Sequence, residues 1–151
     1  MYFISHRGNL THRVPELENS PEYIQEALDK GYNVEVDVWC VDNKMFLGHD
    51  EPQYEVNNNF FFKKGLWCHA KNIEAVTMLN KLNAHYFWHQ KDDITLTSKR
   101  YMWTYPGVEL TSSSICVMPE NANYTLDELI QSAGICSDKI EKYQKEVNNE
   151  Q

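Results

Sequence analysis

Residues 19–38 read NSPEYIQEALDKGYNVEVDV, and this stretch decides the fold class. Ser20 stands where a helix N-cap is needed, and Pro21 suits the first helical position, where an N–H would go unused. Tyr23, Ile24, Ala27 and Leu28 follow at helical spacing as one apolar stripe, and Gly31 can close the helix in a left-handed cap. Tyr32-Asn33-Val34-Glu35-Val36-Asp37-Val38 then alternates with a period of two, which predicts a strand. Upstream, Tyr2-Phe3-Ile4-Ser5 is a short β-like run ending at His6-Arg7-Gly8. Strand, helix and strand in this order imply a βαβ unit with a parallel pair.

The same rhythm extends downstream. Asp42-Asn43-Lys44 is a turn into Met45-Phe46-Leu47-Gly48-His49-Asp50, so the second strand folds back as a hairpin that carries His49 near its end. After an asparagine-rich loop, residues 66–71 predict a third strand, and Ile73, Val76, Met78, Leu79 and Leu82 mark a helix behind it. Further strands are expected at residues 85–90, 99–105, 114–118 and 135–137. Thr125 and Glu128 form a capping-box pair for another helix, with Gly134 near its stop, and the tail after Asp138 reads as a charged helix or a fraying end. Seven or eight strands with only about four helices fall short of a full barrel, which takes about 250 residues; if these strands close into a barrel, it is a reduced TIM-barrel-like (β/α) one, with several outer helices shortened or missing.

Composition narrows the function classes. The chain has 151 residues, 42% of them hydrophobic, enough for one domain over residues 1–151 with a core of its own. A net charge of -8 argues against broad binding to nucleic-acid phosphates. Cys40, Cys68, Cys116 and Cys136 lie far apart and read as buried thiols in a reducing compartment. No apolar run reaches the length of a membrane span, so stable membrane insertion is not expected and the cytoplasm is the expected location. Phe60-Phe61-Phe62-Lys63-Lys64 reads either as core or as a modest interfacial patch.

The chemistry gathers at strand ends. Glu35 and Asp37, two apart on a strand, project to the same side, and flanking valines would carry both into an enclosed space where unpaired negative charge is costly. A cation is the simplest compensation, and carboxylate oxygens suit Mg²⁺ or Ca²⁺; a half-exposed strand is the plainer alternative. His12, His85 and His89 read as ordinary core or surface histidines.

His6-Arg7-Gly8, Glu18-Asn19-Ser20, Glu35-Val36-Asp37-Val38 and His49-Asp50, in this order and at these separations, resemble the N-terminal signature of the glycerophosphodiester phosphodiesterase family. The resemblance implies a TIM barrel and a role in lipid metabolism, with one divalent metal and two histidines cleaving a phosphodiester. By resemblance His6 and His49 are the acid-base pair, Glu35 and Asp37 are metal ligands, and Arg7 contacts the phosphate. Where the family has Glu-x-Lys on its third strand, this chain has His69-Ala70-Lys71. The resemblance thus makes His69 the third metal ligand and Lys71 a phosphate contact, and an imidazole there opens the site to Mn²⁺ or Zn²⁺. Met102-Trp103-Thr104 and residues 134–138 resemble late strands of the family, with Trp103 and, more weakly, Glu120 as substrate contacts. The expected partner is a small-molecule phosphodiester. The alternatives are a catalytically idle phosphate- or metal-binding domain and a phosphodiesterase for sugar or lipid diesters. The leaving group, the nucleophile and the oligomeric state are not legible in the sequence.

Overall fold

The computed structural model describes residues 1–150. β1 (Tyr2–His6), α1 (Pro21–Asp29) and β2 (Asn33–Val41) form the βαβ unit, with β1 and β2 parallel and His6 opposite Glu35. The helix ends as its sequence requires: the Tyr23 N–H donates to Ser20 Oγ, and Gly31 takes φ +88° just beyond the C-cap. β2 continues to Val41 because its outer half pairs antiparallel with β3 (Lys44–Leu47) across Asp42 and Asn43, both at positive φ. The loop after β3 contains β4 (Tyr54–Val56), a short antiparallel strand on β3 that the sequence pattern concealed. A 3₁₀ turn over Asn58–Phe62 buries Phe60 and Phe61 and leaves Phe62 exposed.

The chain then runs through β5 (Leu66–Ala70), α2 (Ile73–Lys81), β6 (Tyr86–Trp88), β7 (Ile94–Leu96), β8 (Met102–Thr104) and β9 (Ser114–Val117). It ends with a 3₁₀ turn (Pro119–Asn121), α3 (Leu126–Gln131), β10 (Gly134–Ser137) and α4 (Ile140–Glu150). The expected Thr125–Glu128 capping box opens α3. The helix reaches its cap at Ser132, close to Gly134 as expected. Gly134 itself begins the next strand, β10, where a Cβ would stand 2.7 Å from the Tyr2 carbonyl oxygen.

The reduced TIM-barrel expectation is overturned. The strands form a curled, mixed, open sheet with the path β4-β3-β2-β1-β10-β9-β8-β7, an eight-strand half-barrel, and β5 and β6 branch from β2. Only four α-helices occur among the described residues. The cause lies in the connections. Residues 89–93 between β6 and β7 are too few for a helical crossover, so β7 reverses and pairs antiparallel with β8. β6 and β7 lie side by side without a ladder, tied by the Ser98 N–H to the Tyr86 carbonyl (2.7 Å) and by Thr95 Oγ1 to the Trp88 carbonyl (2.8 Å).

Strand alternation divides the core in two. Val34, Val36, Val38, Leu66, Cys68 and Ala70 face outward under Ile24, Ala27, Ala75 and Leu79 of the helices. Ile4, Trp67, Phe87, Trp103, Ile115 and Cys136 fill the concave side as a separate cluster. All four cysteines are free and buried. No helix among the described residues is long and apolar enough to cross a membrane.

Candidate metal centre and cavity

Seven strands (β1, β2, β5, β6, β8, β9 and β10) run in parallel, which brings their carboxyl ends to one rim. Register does the rest. His6 pairs with Glu35 across β1 and β2, and Asp37 pairs with His69 across β2 and β5, so all four side chains share the concave face. They stand at a cavity of about 330 Å³ whose lining includes His6, Arg7, Glu35, His49, His69 and Lys71. Trp103 and Tyr105 form part of its opposite wall. Asp37 lies beneath, fully buried.

Glu35, Asp37 and His69 form a group that can hold a metal ion, with one donor atom from each lying within 4.8 Å of the others. The residues fit an ion. Glu35 Oε2 and Asp37 Oδ1 are buried without a hydrogen-bond partner, a costly arrangement for carboxylates unless a cation faces them. His69 Nδ1 stands 3.3 Å from Asp37 Oδ1 and 3.7 Å from Glu35 Oε1. Adjacent donors around an ion with bonds of about 2.1 Å lie about 3.0–3.4 Å apart, a spacing that small shifts would reach here. The other ring nitrogen, His69 Nε2, donates to the His89 carbonyl at 2.8 Å, which leaves the Nδ1 lone pair of the neutral ring toward the carboxylates.

The remaining groups are equally well held. Arg7, at φ +57°, turns the chain out of β1, and Gly8 follows at φ +98° because a Cβ there would meet the Tyr23 ring at 2.5 Å. Arg7 Nη1 donates to Glu18 (3.0 Å) and its Nε stands 3.0 Å from Asp37 Oδ2, without the alignment of a hydrogen bond. Glu18 also accepts from Arg13 and Asn9, so the loop of residues 9–19 is built around it. Lys71 Nζ is 3.9 Å from Asp37 Oδ1. His49 sits half-exposed on the rim with Nδ1 2.8 Å from Asp50, and the preceding Gly48 carbonyl accepts from Trp39 Nε1.

The roles of three residues escaped the sequence reading. Asp138 Oδ1 lies 2.7 Å from His6 Nδ1; its signal was visible, a carboxylate directly after a short parallel strand. Asn19 brackets Asp37, donating to Oδ2 and accepting its N–H; it stands in the Glu18-Asn19-Ser20 motif, which marked its place but not this role. His89 lines the cavity besides orienting His69 and had no signal in the sequence. Of the two weaker substrate candidates, Trp103 is in the cavity wall, stacked on Phe87. Glu120 is not at the cavity, its carboxylate being held by Ser137 Oγ at 2.7 Å. His12 is exposed, and His85 is buried at the opposite ends of the strands against Trp67.

The electrostatics are divided. Burial and the neighbouring Asp37 charge raise the Glu35 pKa. Burial would raise Asp37 as well, but His69 when its ring is protonated, Arg7 and the Asn19 amide hold it well below the usual carboxylate range. Burial pulls His6 down, yet its bond to Asp138 and the Glu35 charge prevail and raise its pKa.

Fold and site together define an α/β half-barrel with a buried two-carboxylate, one-histidine centre at the carboxyl ends of its parallel strands. Comparison with protein-family models, with curated proteins and with solved structures finds no match to this chain.

Proposed function

We propose that this protein is a metal-dependent phosphodiesterase acting on a small, glycerophosphodiester-like molecule. The observation that carries the reading is one cavity with two histidines, His6 and His49, on its lining beside Glu35 and His69. A cavity of about 330 Å³ suits a small molecule, and a net charge of -8 disfavours nucleic acid. A divalent ion held by Glu35, Asp37 and His69 would offset the charge that develops on the phosphoryl oxygens. Lys71, on the same rim, adds a cation for the diester. Arg7 contributes less directly, because Asp37 and Glu18 already hold its Nε and Nη1.

His6 and His49 divide the proton transfers, one taking the proton of the attacking hydroxyl or water and the other protonating the leaving alkoxide. With Nδ1 on Asp138 and on Asp50 respectively, each has Nε2 left for the reaction. The paired state of Arg7 favours a second reading, a phosphate-binding domain without turnover.

One screen decides between them: the whole chain, stripped with a chelator and resupplied with single divalent ions, on glycerophosphocholine and bis(p-nitrophenyl) phosphate. Metal-dependent product release that His6→Ala slows by about 10²-fold or more is the expected result. Phosphate binding without turnover under any ion would leave the binding domain.

A further inference from the structure

Both carboxylates of the centre are hard oxygen donors, but the geometry around them does not suit a hard ion. Asp37 Oδ2 is occupied by the Asn19 amide and faced by Arg7 Nε at 3.0 Å, so Asp37 has only Oδ1 to offer and cannot chelate through both oxygens. The third donor is an imidazole nitrogen, fixed before any ion arrives. The His89 carbonyl sets its tautomer at 2.8 Å. The ring cannot easily turn, because it stacks on Phe87 at 5.0 Å and 15°, and Phe87 in turn stacks on Trp103 at 4.5 Å. The turn that carries the carbonyl is pinned by the Tyr105 N–H to the Asp93 carbonyl at 2.9 Å.

We propose that the centre selects an imidazole-binding first-row ion, Zn²⁺ above all, over Mg²⁺ and Ca²⁺. Ca²⁺ requires about six to eight oxygens and Mg²⁺ a near-octahedral oxygen shell. Three protein donors, one of them nitrogen and one a carboxylate confined to a single oxygen, instead match a four-coordinate zinc site with one position left for water or substrate. The inference rests on the metal centre invoked for the proposed function, but not on phosphodiester cleavage.

The test is metal binding by the chelator-stripped whole chain, read by calorimetry for Zn²⁺, Mg²⁺ and Ca²⁺ and by the visible spectrum for Co²⁺ standing in for Zn²⁺. One Zn²⁺ per chain should bind at least about 100-fold more tightly than Mg²⁺. His69→Ala should weaken Zn²⁺ by about 10–100-fold or more while leaving Mg²⁺ little changed, and His69→Glu should narrow or invert the preference. His69→Gln, which keeps the bulk of the side chain on Phe87, covers the case in which the alanine variant does not fold. Equal affinity for Mg²⁺ and Zn²⁺, Zn²⁺ binding untouched by His69→Gln and His69→Ala, or no ion bound at all would each overturn the proposal. Zinc selectivity without turnover in the diester screen would sink the functional reading alone, whereas Mg²⁺-driven turnover without zinc preference would sink this inference alone.

Discussion

Nδ1 of His6 lies 2.7 Å from Oδ1 of Asp138, although 132 positions separate the two along the chain. β1 and β10 pair in parallel with Ser5 opposite Ser137, so the next residue of each emerges at the same point on the rim. Asn9 Nδ2 donates to the same oxygen at 2.8 Å and keeps the carboxylate in place. A carboxylate so fixed holds the proton on Nδ1 and orients the ring, and His6 Nε2 remains toward Glu35 at 3.8 Å.

Asp138→Asn should therefore lower kcat by about 10²-fold, the scale of one mispositioned acid-base group. Asp138 helps to raise the His6 pKa, so its loss should also move the limb of the kcat/KM profile governed by His6 toward lower pH. A variant that unfolds at the same urea concentration as the parent, with an unmoved profile, would count against the pairing.

His6→Ala and His49→Ala should each reduce kcat by about 10²–10⁴-fold, with metal binding retained. The double variant should lose less than the product of the two factors, because groups acting in one proton relay are not additive. Steady-state rates on glycerophosphocholine, whose alkoxide must be protonated as it leaves, give this comparison, and a His49→Ala protein as active as the parent on that substrate would remove the residue from the reaction.

Stability should carry a histidine signature away from the cavity. Burial against Trp67 pulls the His85 pKa from 6.5 down to about 4, with Lys99 adding to the effect. A depressed folded value means that the unfolded chain binds the extra proton, so this contribution is whole above about pH 6.5 and disappears as pH falls toward 4. The loss is bounded at about 3 kcal/mol. Urea unfolding across that window should be steeper in pH for the parent than for His85→Phe, and parallel curves would refute the assignment.

Glu18→Ala should cost about 3 kcal/mol, because it leaves the largely buried Arg7 guanidinium without one of its carboxylates. Burial opposes ionisation of Glu18, but Arg13 and Arg7 prevail and lower its pKa, so its stabilisation is present above about pH 4.5 and lost as pH falls below. Denaturation of parent and variant should converge in acid, and a constant gap would argue that packing alone is responsible.

Much of this protein is written in short stretches of its sequence. Ser20, Pro21 and Gly31 bound α1, and the alternation of Val34 to Val38 puts Glu35 and Asp37 on one face of β2, because caps and strand periodicity are local interactions complete within a few residues. The direction of β7, the failure of the sheet to close and the absence of Glu120 from the cavity lining were decided only in three dimensions, as were the side chains and backbone groups that Asn19, His89 and Asp138 meet around the site. Each depends on register and crossover length, which bring together chain segments far apart in sequence, and a carboxylate or carbonyl bears no local mark of the side chain it will meet across a sheet.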